Sequence, residues 1–589
     1  MLPLAFSASG FQLFLGGLAV LGWLVASLAG AEYLRHESRR GQFYTFWVLT
    51  LLAVLGVFLA ADFLTAFLFF ELMSLLSYVL VIHTQTDRAR WASDTYLAVA
   101  ILGGMTTLLG ILLLYHQVGT LRFDALAAAC AAAEQKGPLY AAGALIFVGF
   151  GAKAGLWPMH IWLPTAHPVA PAPASAVLSG VITKCGVFGV AMVTVTLFAG
   201  VLPWGLLLLA ASCVSMVLGA VLAVFSTDLK RTFACSSVSQ IGFVLTGVAL
   251  LCLLGPEHNA LAGQGVVLHI LNHATIKLIL FPCAGIIHLK AHSYAFDEIR
   301  GYGRGKPRMA VTMGLAMFSL AGVPGLSGYI SKTLLHESLV EYRHAVAGTA
   351  LAGWMGAAEW CFLIAGGLTL AYMLKVFVCL FVQRPARDFG TEREIPAASW
   401  LPLLLCALAL PVLGLLPDDT MAPLAARAMD ALTAAPPHLD VAWFSWINLQ
   451  GACISLAIGA AVYFLLVRPL LMRDGRYPDR WPVWLDLERL VYRPVILRLL
   501  PFAGTLLARC IDAVPEAAQY GLRALIFWGG KRTVCPKEDD HFTLYRRSRA
   551  RPLGRRHTLA YSMAWACGGI VVLGIYLLYE DLSHITGTG

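Results

Sequence analysis

The sequence predicts an all-α polytopic membrane protein with about fourteen transmembrane helices. Of its 589 residues, 59% are hydrophobic and only 13% are charged, and the mean hydropathy is +0.74. A water-soluble protein cannot bury so large an apolar fraction, whereas membrane helices require it. Apolar stretches of spanning length also recur along the whole chain. The net charge of +9 favours contact with anionic lipid headgroups or an acidic partner, not with nucleic acid.

The predicted spans follow one another with short polar connections. Each is long enough to cross the hydrocarbon core of a bilayer, which is about 30 Å thick. The spans cover residues 11–31, 43–61, 63–82, 94–115, 139–158, 173–199, 202–225, 231–254, 264–289, 309–335, 352–382, 398–416, 447–467 and 559–579. No basic residue precedes the first of them, so it is expected to be a retained span and not a cleaved signal peptide.

The basic residues of alternate loops predict the orientation of these spans. One set of loops holds Arg35, Arg39, Arg40, Arg88, Arg90, Lys230, Arg231, Lys290, Arg300, Arg304, Lys306, Arg308, Arg384, Arg387 and Arg393. The opposite set holds only Arg122, Lys136, Arg343 and Arg427. By the positive-inside rule, the basic loops are cytoplasmic and the N-terminus lies outside.

The segment from Arg468 to His557 differs in composition from the rest of the chain. Lysine and arginine concentrate in it, yet Leu487, Leu490 and Val491 belong to an apolar stripe at helical spacing. We expect amphipathic helices that lie along the cytoplasmic surface and precede the last span. The alternative is a solvated basic tail.

Glu71 and two lysines are charged residues placed near the middle of apolar spans. Lys153 precedes a proline that interrupts its span, and Lys184 lies within the next span. A lysine at the centre of a membrane helix costs about 2.5–3.5 kcal/mol on insertion scales, so such residues are candidates for function. A buried carboxylate needs a partner, and we expect Glu71 to pair with Lys153. Snorkelling of both lysines to an interface is the alternative.

Two later spans carry further titratable groups. His269, His273 and Lys277 follow one another at intervals of four residues, so they lie along one face of a helix and form a candidate proton relay. Lys332 follows a second break, at Pro324 and Gly325. A pair of interrupted spans is typical of inverted repeats around a pathway at the membrane midplane. For Glu359 we favour a structural role, and Lys375 stays open.

No cofactor is predicted on this chain. The thirteen cysteines include no C-x-x-C pair and no Cys/His cluster at ligand spacing, so a zinc or iron–sulfur site is not expected. The run from Gly301 to Lys306 matches neither of the glycine-rich nucleotide motifs. We find no flavin or NAD motif either.

Five motifs together resemble the proton-conducting antiporter-like membrane subunits of complex I, Mrp antiporters and energy-converting hydrogenases. They are FFELMSLLSYVL, AKAGLWPMHIWLPTAHP, FSTDLKRTFACSSVSQIGF, LHILNHATIKLILF and AGVPGLSGYISK, in the order of the family. The resemblance implies two inverted five-helix repeats with broken helices. It also implies a proton pathway through Glu71, Lys153, Lys184, His269, His273, Lys277 and Lys332.

The resemblance also implies an organisation and a set of partners. The expected regions are an N-terminal span (1–42), two half-channel repeats (43–225 and 226–400), C-terminal spans (401–472), an amphipathic arm (473–558) and a final anchoring span (559–589). The partners would be the other membrane and redox subunits of a complex in a bacterial or archaeal cell membrane, where the chain moves protons or sodium. Only one span precedes the helix before Glu71, where the family usually has three.

The identity of the parent complex stays open at this point. The core motifs favour a redox-driven complex, in which this chain would be a translocating subunit of an NADH:quinone oxidoreductase-like or hydrogenase assembly. The alternatives are a subunit of an Mrp-type cation/proton antiporter and a free-standing secondary solute transporter. A scaffold with a dead channel would be expected to lack the intramembrane charges, which are present here.

Overall fold

The computed structural model describes residues 4–255, 258–389, 396–434 and 441–495, together with 499 and 502. The chain divides into two units, Met1–Arg480 and Trp481–Gly589. In the described part of the second unit, short helical turns cover Val483–Leu485 and Glu488–Tyr492. The predicted span 559–579 and most of the predicted arm lie outside the described residues.

The first unit is built from helices. In chain order they are α1 (Gly10–Arg35), α2 (Arg40–Phe58), α3 (Phe63–Val81), α4 (Asp87–Val118), α5 (Phe123–Ala132), α6 (Lys136–Ala154), α7 (Trp162–Ala166), α8 (Ala172–Val177), α9 (Thr183–Thr196), α10 (Leu202–Phe225), α11 (Leu229–Leu254), α12 (Ala260–Ala291), α13 (Phe296–Ile299), α14 (Pro307–Ala321), α15 (Ser327–Ala345), α16 (Ala350–Phe377), α17 (Ala397–Leu415), α18 (Pro417–Ala428) and α19 (Trp446–Val462). One π-helical turn, Leu178–Ile182, joins α8 to α9, and others extend α16 and α19.

These helices confirm the predicted all-α polytopic fold. Within the described residues, twelve helices are long and apolar enough to cross a membrane. A thirteenth predicted span, 309–335, is divided between α14 and α15, which the break after Ala321 separates. Every predicted span up to 447–467 therefore coincides with a helix or with this interrupted pair. The two inverted repeats and the regional boundaries stay predictions.

Contacts between the loops that join the helices agree with the predicted alternation of the spans. At one end of the helices, Asp62 pairs with Arg122 in an isolated β-bridge, and the Cys252 thiol lies 2.9 Å from the Phe198 carbonyl. At the other end, Asp228 pairs with Ala295. We call the first end, which also holds the start of α1, the Asp430 end, and the second the Asp228 end. Two loops lie at the same end of the bundle only when an even number of spans separates them, so these contacts agree with the predicted number of spans.

The start of α1 receives caps from two distant parts of the sequence. The Ser9 side chain accepts a hydrogen bond from the Gln12 amide, and the Gln12 side chain accepts one from the Ser9 amide, which forms a capping box. The Asp430 carboxylate accepts the Gly10 amide at 2.6 Å and the Phe11 amide at 3.0 Å. The first turn of α1 is thus completed by a residue 420 positions further along the chain.

The most deeply buried span is Ala172–Thr196, which follows the first interruption in the chain. The most apolar 18 residues of Ala172–Thr196 are all buried, and 89% of the corresponding 18 residues of α11 and of α12 are buried. Glycine allows this close packing. A Cβ built on Gly186 would lie 2.2 Å from the Ala154 amide nitrogen and 2.4 Å from the Phe150 carbonyl oxygen. The backbones of α6 and α9 are therefore in direct contact next to Lys153 and Lys184.

Candidate functional site

The seven titratable residues singled out from the sequence are all buried inside the helix bundle. No more than 8% of the surface of any one of them is exposed. They lie on five elements: α3, α6, α9, α12 and α15. The residues are Glu71, Lys153, Lys184, His269, His273, Lys277 and Lys332.

Lys153 lies in the last turn of α6, where the first interrupted span breaks. The helix ends at Ala154 because Gly155 adopts a positive φ of 84° and closes it with an αL cap. The Lys153 Nζ donates to the Ser74 Oγ at 2.9 Å and to the Tyr96 hydroxyl at 2.6 Å. It also lies 4.4 Å from the centroid of the Tyr96 ring, a cation–π distance. Two hydroxyls and a ring thus hold the ammonium group.

Glu71 lies one helical turn before Ser74 on α3 and faces α4. A Cβ on Gly104 would be 2.3 Å from the Glu71 Oε1, so the carboxyl group occupies the space left by that glycine. Within the described chain, the Oε1 atom has no hydrogen-bond partner. The expected pairing with Lys153 therefore takes an indirect form. Glu71 and the Lys153 Nζ both lie against α3 and α4, but Lys153 donates to hydroxyl groups of these helices and not to the carboxylate.

Lys184 lies in the first turn after the π-helical turn Leu178–Ile182. Its Nζ donates to the Ser179 carbonyl at 2.8 Å and lies 2.6 Å from the His273 Nδ1. Lys184 is completely buried. The sequence placed this lysine in the middle of a span, but its direct contact with α12 is a finding of the structure.

The three residues spaced by four on α12 point to different neighbours. His273 meets Lys184, as described above. The ring of His269 lies between α11 and α15, with its Nε2 3.1 Å from the Gln240 Oε1 and its Nδ1 3.0 Å from the Ser331 Oγ. The Lys277 Nζ donates to the Phe233 carbonyl at 2.7 Å and makes a short contact with the Ser236 hydroxyl.

Lys332 lies next to the second break. The helix α14 ends at Ala321 because Gly322 adopts a φ of 84°, and α15 begins at Ser327. The Lys332 Nζ turns back towards the break and donates to the Leu320 carbonyl at 2.8 Å. It lies 4.8 Å from the centroid of the Phe243 ring. Lys153 and Lys332 thus both lie beside the end of an interrupted helix.

Together these contacts form a line of proton-carrying groups through the centre of the bundle. Lys184 contacts His273, His269 follows one turn away on the same helix, and His269 contacts Ser331, the residue before Lys332. One turn of helix corresponds to about 5.4 Å. Amine, imidazole and hydroxyl groups can each accept and release a proton, so this line can conduct protons if the single gaps are bridged.

The structure adds two buried titratable residues that were not among the candidates predicted from the sequence. His167 is completely buried and stacked on Phe281 with 4.8 Å between ring centroids, and neither of its ring nitrogens has a hydrogen-bond partner within the described residues. Lys230 is also completely buried and donates to the Ala170 carbonyl at 2.6 Å. The signal for His167 was its position in the AHP triplet of the interrupted span. In the sequence, Lys230 stands among the basic loop residues that predict the orientation of the spans.

Two charges that the sequence left aside have structural contacts. The Lys375 Nζ donates to the carbonyls of Ala223, Val224 and Ser226 at 3.2, 2.6 and 2.6 Å. These carbonyls belong to the C-terminal end of α10, where the last turn of a helix leaves them without partners. Lys375 therefore caps α10. Glu359 contacts the Arg343 guanidinium at 2.6 Å.

Metal or cofactor ligands do not emerge from these side chains. Within the described residues, no group of three or more His, Cys, Asp or Glu residues could hold a metal ion. The expectation that this chain carries no cofactor stays a prediction.

A sequence profile of one family matches half of the chain. The profile is described as the transmembrane part of NADH:quinone oxidoreductase and Mrp antiporter subunits, and it covers residues 60–356. The matched part includes α3 to α15, and therefore every residue of the buried line.

Curated relatives and solved structures agree with that match. Hydrogenase-4 component B of Escherichia coli (strain K12) is 31% identical over 500 residues, which cover 83% of this chain and 72% of the relative. A Na⁺/H⁺ antiporter protein from Alkalihalophilus pseudofirmus is 29% identical over 367 residues, covering 62% of this chain and 70% of the relative. One component of the Mrp complex from Dietzia sp. DQ12-45-1b superposes with a TM-score of 0.64 at 22% identity, covering 77% of this chain and 86% of the other.

Proposed function

The chain belongs to the family of antiporter-like membrane subunits of NADH:quinone oxidoreductases and Mrp antiporters, and from this premise we propose that it translocates protons within a larger membrane complex. One observation carries the proposal. The buried line has two direct contacts, Lys184 with His273 and His269 with Ser331; one turn of α12 joins them, and Lys332 follows Ser331 in the chain. Packing alone does not require seven buried titratable groups, because each of them is costly inside a membrane.

The contacts support a particular division of roles. Lys184 exchanges a proton with the His273 Nδ1 at 2.6 Å. Transfer continues along α12 to His269 and through the Ser331 hydroxyl to Lys332. Glu71 and Lys153 form the adjoining half-channel, in which the carboxylate stabilises the protonated form of Lys153 by its charge and the hydroxyls of Ser74 and Tyr96 fix the position of its Nζ.

The direct backbone contact between α6 and α9 couples the two halves. Lys153 and Lys184 each lie within two residues of the close approach between Gly186 and Ala154. Two ammonium groups on adjacent buried helices repel each other in a low dielectric. Protonation of one lysine therefore favours release of the proton from the other, which couples the two half-channels.

Protons fit this line better than sodium. The central groups are lysine and histidine nitrogens, whereas hard cations such as Na⁺ prefer oxygen ligands. We further propose that the Asp228 end is cytoplasmic, because the predicted basic loops lie there. The two interrupted spans support the proposal of two inverted repeats, since α6 and α14 both end at a glycine of positive φ and a buried lysine lies beside each break.

For the parent complex we propose a redox-driven assembly of the hydrogenase or complex I type. The hydrogenase-4 relative covers the larger share of this chain, and the likeness to the Mrp complex at 22% identity supports the fold alone. An Mrp-type cation/proton antiporter is the second candidate, because a Na⁺/H⁺ antiporter protein is also a relative. Purification with native partners decides between them. Co-purifying nickel or iron–sulfur subunits support the first, and small antiporter subunits alone support the second.

The test of proton translocation is the Lys184→Ala variant in the native complex. We expect the complex to assemble and the proton flux into proteoliposomes, followed with an internal pH-sensitive dye under an imposed membrane potential, to fall to background. Lys290→Ala, an exposed lysine in the last turn of α12, is the control and should conduct normally. Normal flux through correctly assembled Lys184→Ala complex would refute the proposal.

A further inference from the structure

The helix α15 carries a second group of titratable residues beyond Lys332, towards the Asp430 end. His336 lies one helical turn after Lys332, and Arg343 lies in the last turn of α15. Their exposure increases along the helix. Lys332 is 8% exposed, the His336 side chain 15% and the Arg343 side chain 49%. The group thus leads from the buried line to the surface.

His336 is held between two carboxylates. Its Nδ1 lies 3.4 Å from the Glu337 Oε1, and its Nε2 lies 3.5 Å from the Glu359 Oε1 on α16. The other oxygen of Glu359 is 2.6 Å from the Arg343 guanidinium. Both ring nitrogens of His336 therefore face a carboxylate whose side chain is partly exposed, 24% for Glu337 and 18% for Glu359.

Packing fixes the orientation of the His336 ring. Phe362 of α16 lies 5.7 Å away between ring centroids. A Cβ on Gly451, in α19, would lie 3.2 Å from the His336 Cε1. The imidazole therefore occupies a slot between α15, α16 and α19, with its nitrogens 3.4 and 3.5 Å from the two carboxylates.

We propose that His336, together with Glu337 and Glu359, is the proton-release site at the Asp430 end of the pathway. This inference rests on the proposed function, because it assigns the step after Lys332. The protonated imidazole gives its proton to the partly exposed carboxylate of Glu337, where an O–H bond forms as the N–H bond breaks, and Glu337 then releases the proton to solvent. The neutral imidazole is then reprotonated from the Lys332 ammonium group, one helical turn away on α15, through intervening water.

Arg343 has a positioning role in this arrangement. Its guanidinium contacts the Glu359 oxygen that does not face His336. It keeps the carboxylate ionised and directed at the imidazole. A histidine that served only to hold α15 against α16 would make the same contacts, so the test must measure proton transfer and not only assembly.

The experiment compares three variants in the native complex reconstituted into proteoliposomes. His336→Gln keeps a polar side chain that can donate to one of the two carboxylates but cannot carry a proton, and we expect the flux to fall on the order of 100-fold, since a positioned proton-transfer group typically contributes 10²–10⁴-fold. His336→Ala opens the slot, and added imidazole should restore flux above that measured with imidazole in protein-free liposomes, a control that is needed because neutral imidazole crosses the bilayer. His344→Gln, an exposed histidine on the same helix, should conduct like the wild type.

The outcomes separate this inference from the proposed function. If Lys184→Ala abolishes flux while His336→Gln conducts normally, the pathway exists but does not leave through His336, and the inference is wrong. If His336→Ala assembles, loses flux and is not restored by imidazole, the role of His336 is structural and the inference is also wrong. Restoration of flux above the protein-free control supports the inference. Blue-native electrophoresis verifies assembly of each variant.

Discussion

Replacing Gly186 by alanine should uncouple the two lysines without removing either of them. A Cβ at this position would lie 2.2 Å from the Ala154 amide nitrogen, whereas ordinary van der Waals contact begins at 3.4 Å. Because the neighbouring atoms are backbone, α6 and α9 must separate by about 1.2 Å at this point. Overpacking of this kind costs about 1–3 kcal/mol.

The same displacement reaches the Lys184 side chain, which lies two residues away on α9. Its 2.6 Å contact with His273 cannot absorb a shift of that size in either direction, since it would become either longer than a hydrogen bond or a clash. A misplacement of about 1 Å can cost about 100-fold in rate. We therefore expect Gly186→Ala to assemble with a lower melting temperature and to conduct protons about 100-fold more slowly.

The assay is proton flux into proteoliposomes together with thermal unfolding of the detergent-solubilised complex. Gly17→Ala is the matched control, because a Cβ on Gly17 of α1 meets no atom within 4 Å. It should leave flux and melting temperature unchanged. Wild-type flux and stability in Gly186→Ala would show that the contact between α6 and α9 does not set the position of Lys184.

Two further substitutions separate structural from conducting charges. Lys375→Met leaves three carbonyls of α10 without a donor, at about 1–3 kcal/mol for each buried group left unpaired; it should lower the melting temperature, while flux per assembled complex stays within about twofold. A loss of flux without a loss of stability would contradict the capping role. Burial raises the pKa of the Asp228 carboxyl, which accepts the Arg231 amide at the start of α11. The Asp228 carboxyl therefore holds its proton more tightly in the folded protein than in the unfolded chain, and the free energy of unfolding declines as pH rises through the raised pKa. Asp228→Asn keeps the cap but has no carboxyl group to titrate, so its melting temperature should rise relative to that of the wild type as pH increases from about 4 to about 8. Asp228→Ala removes the cap and should lower the free energy of unfolding by about 1 kcal/mol. A melting temperature of the wild type that rises relative to that of Asp228→Asn with increasing pH would contradict this reasoning.

The helices and their interruptions could be predicted because their causes are local. An apolar stretch of about twenty residues has few alternatives to a spanning helix, and the run from Gly322 to Gly325, which includes Pro324, favours an interruption between α14 and α15. The burial of Lys184 and Lys332 followed from the same reasoning, because a lysine in the middle of a span has little surface to reach. These inferences depend on residues close together in the chain.

The partners of the buried groups depend on distant residues and could not be predicted in the same way. Charge alone favoured a direct pair of Glu71 and Lys153. The structure instead gives Lys153 the hydroxyl groups of Ser74 and Tyr96, because two neutral acceptors at hydrogen-bond distance fix an ammonium group without requiring the carboxylate to approach it. The π-helical turn before Lys184 has no sequence signature. Neither does the proximity of His336 to Glu359, since it depends on the packing of α15 against α16.

The double cap of α1 has a consequence for how the protein is made. Ser9 and Gln12 can close their part of the first turn as soon as α1 leaves the ribosome, but the Gly10 and Phe11 amides wait for Asp430, 420 residues later. At a synthesis rate of about 5–20 residues per second, that interval is roughly 20–80 seconds. During this time these two amides of α1 depend on water or on a chaperone. The start of α1 is therefore completed only late in synthesis, and a ribosome stalled before Asp430 should leave the first turn of α1 open to proteolysis.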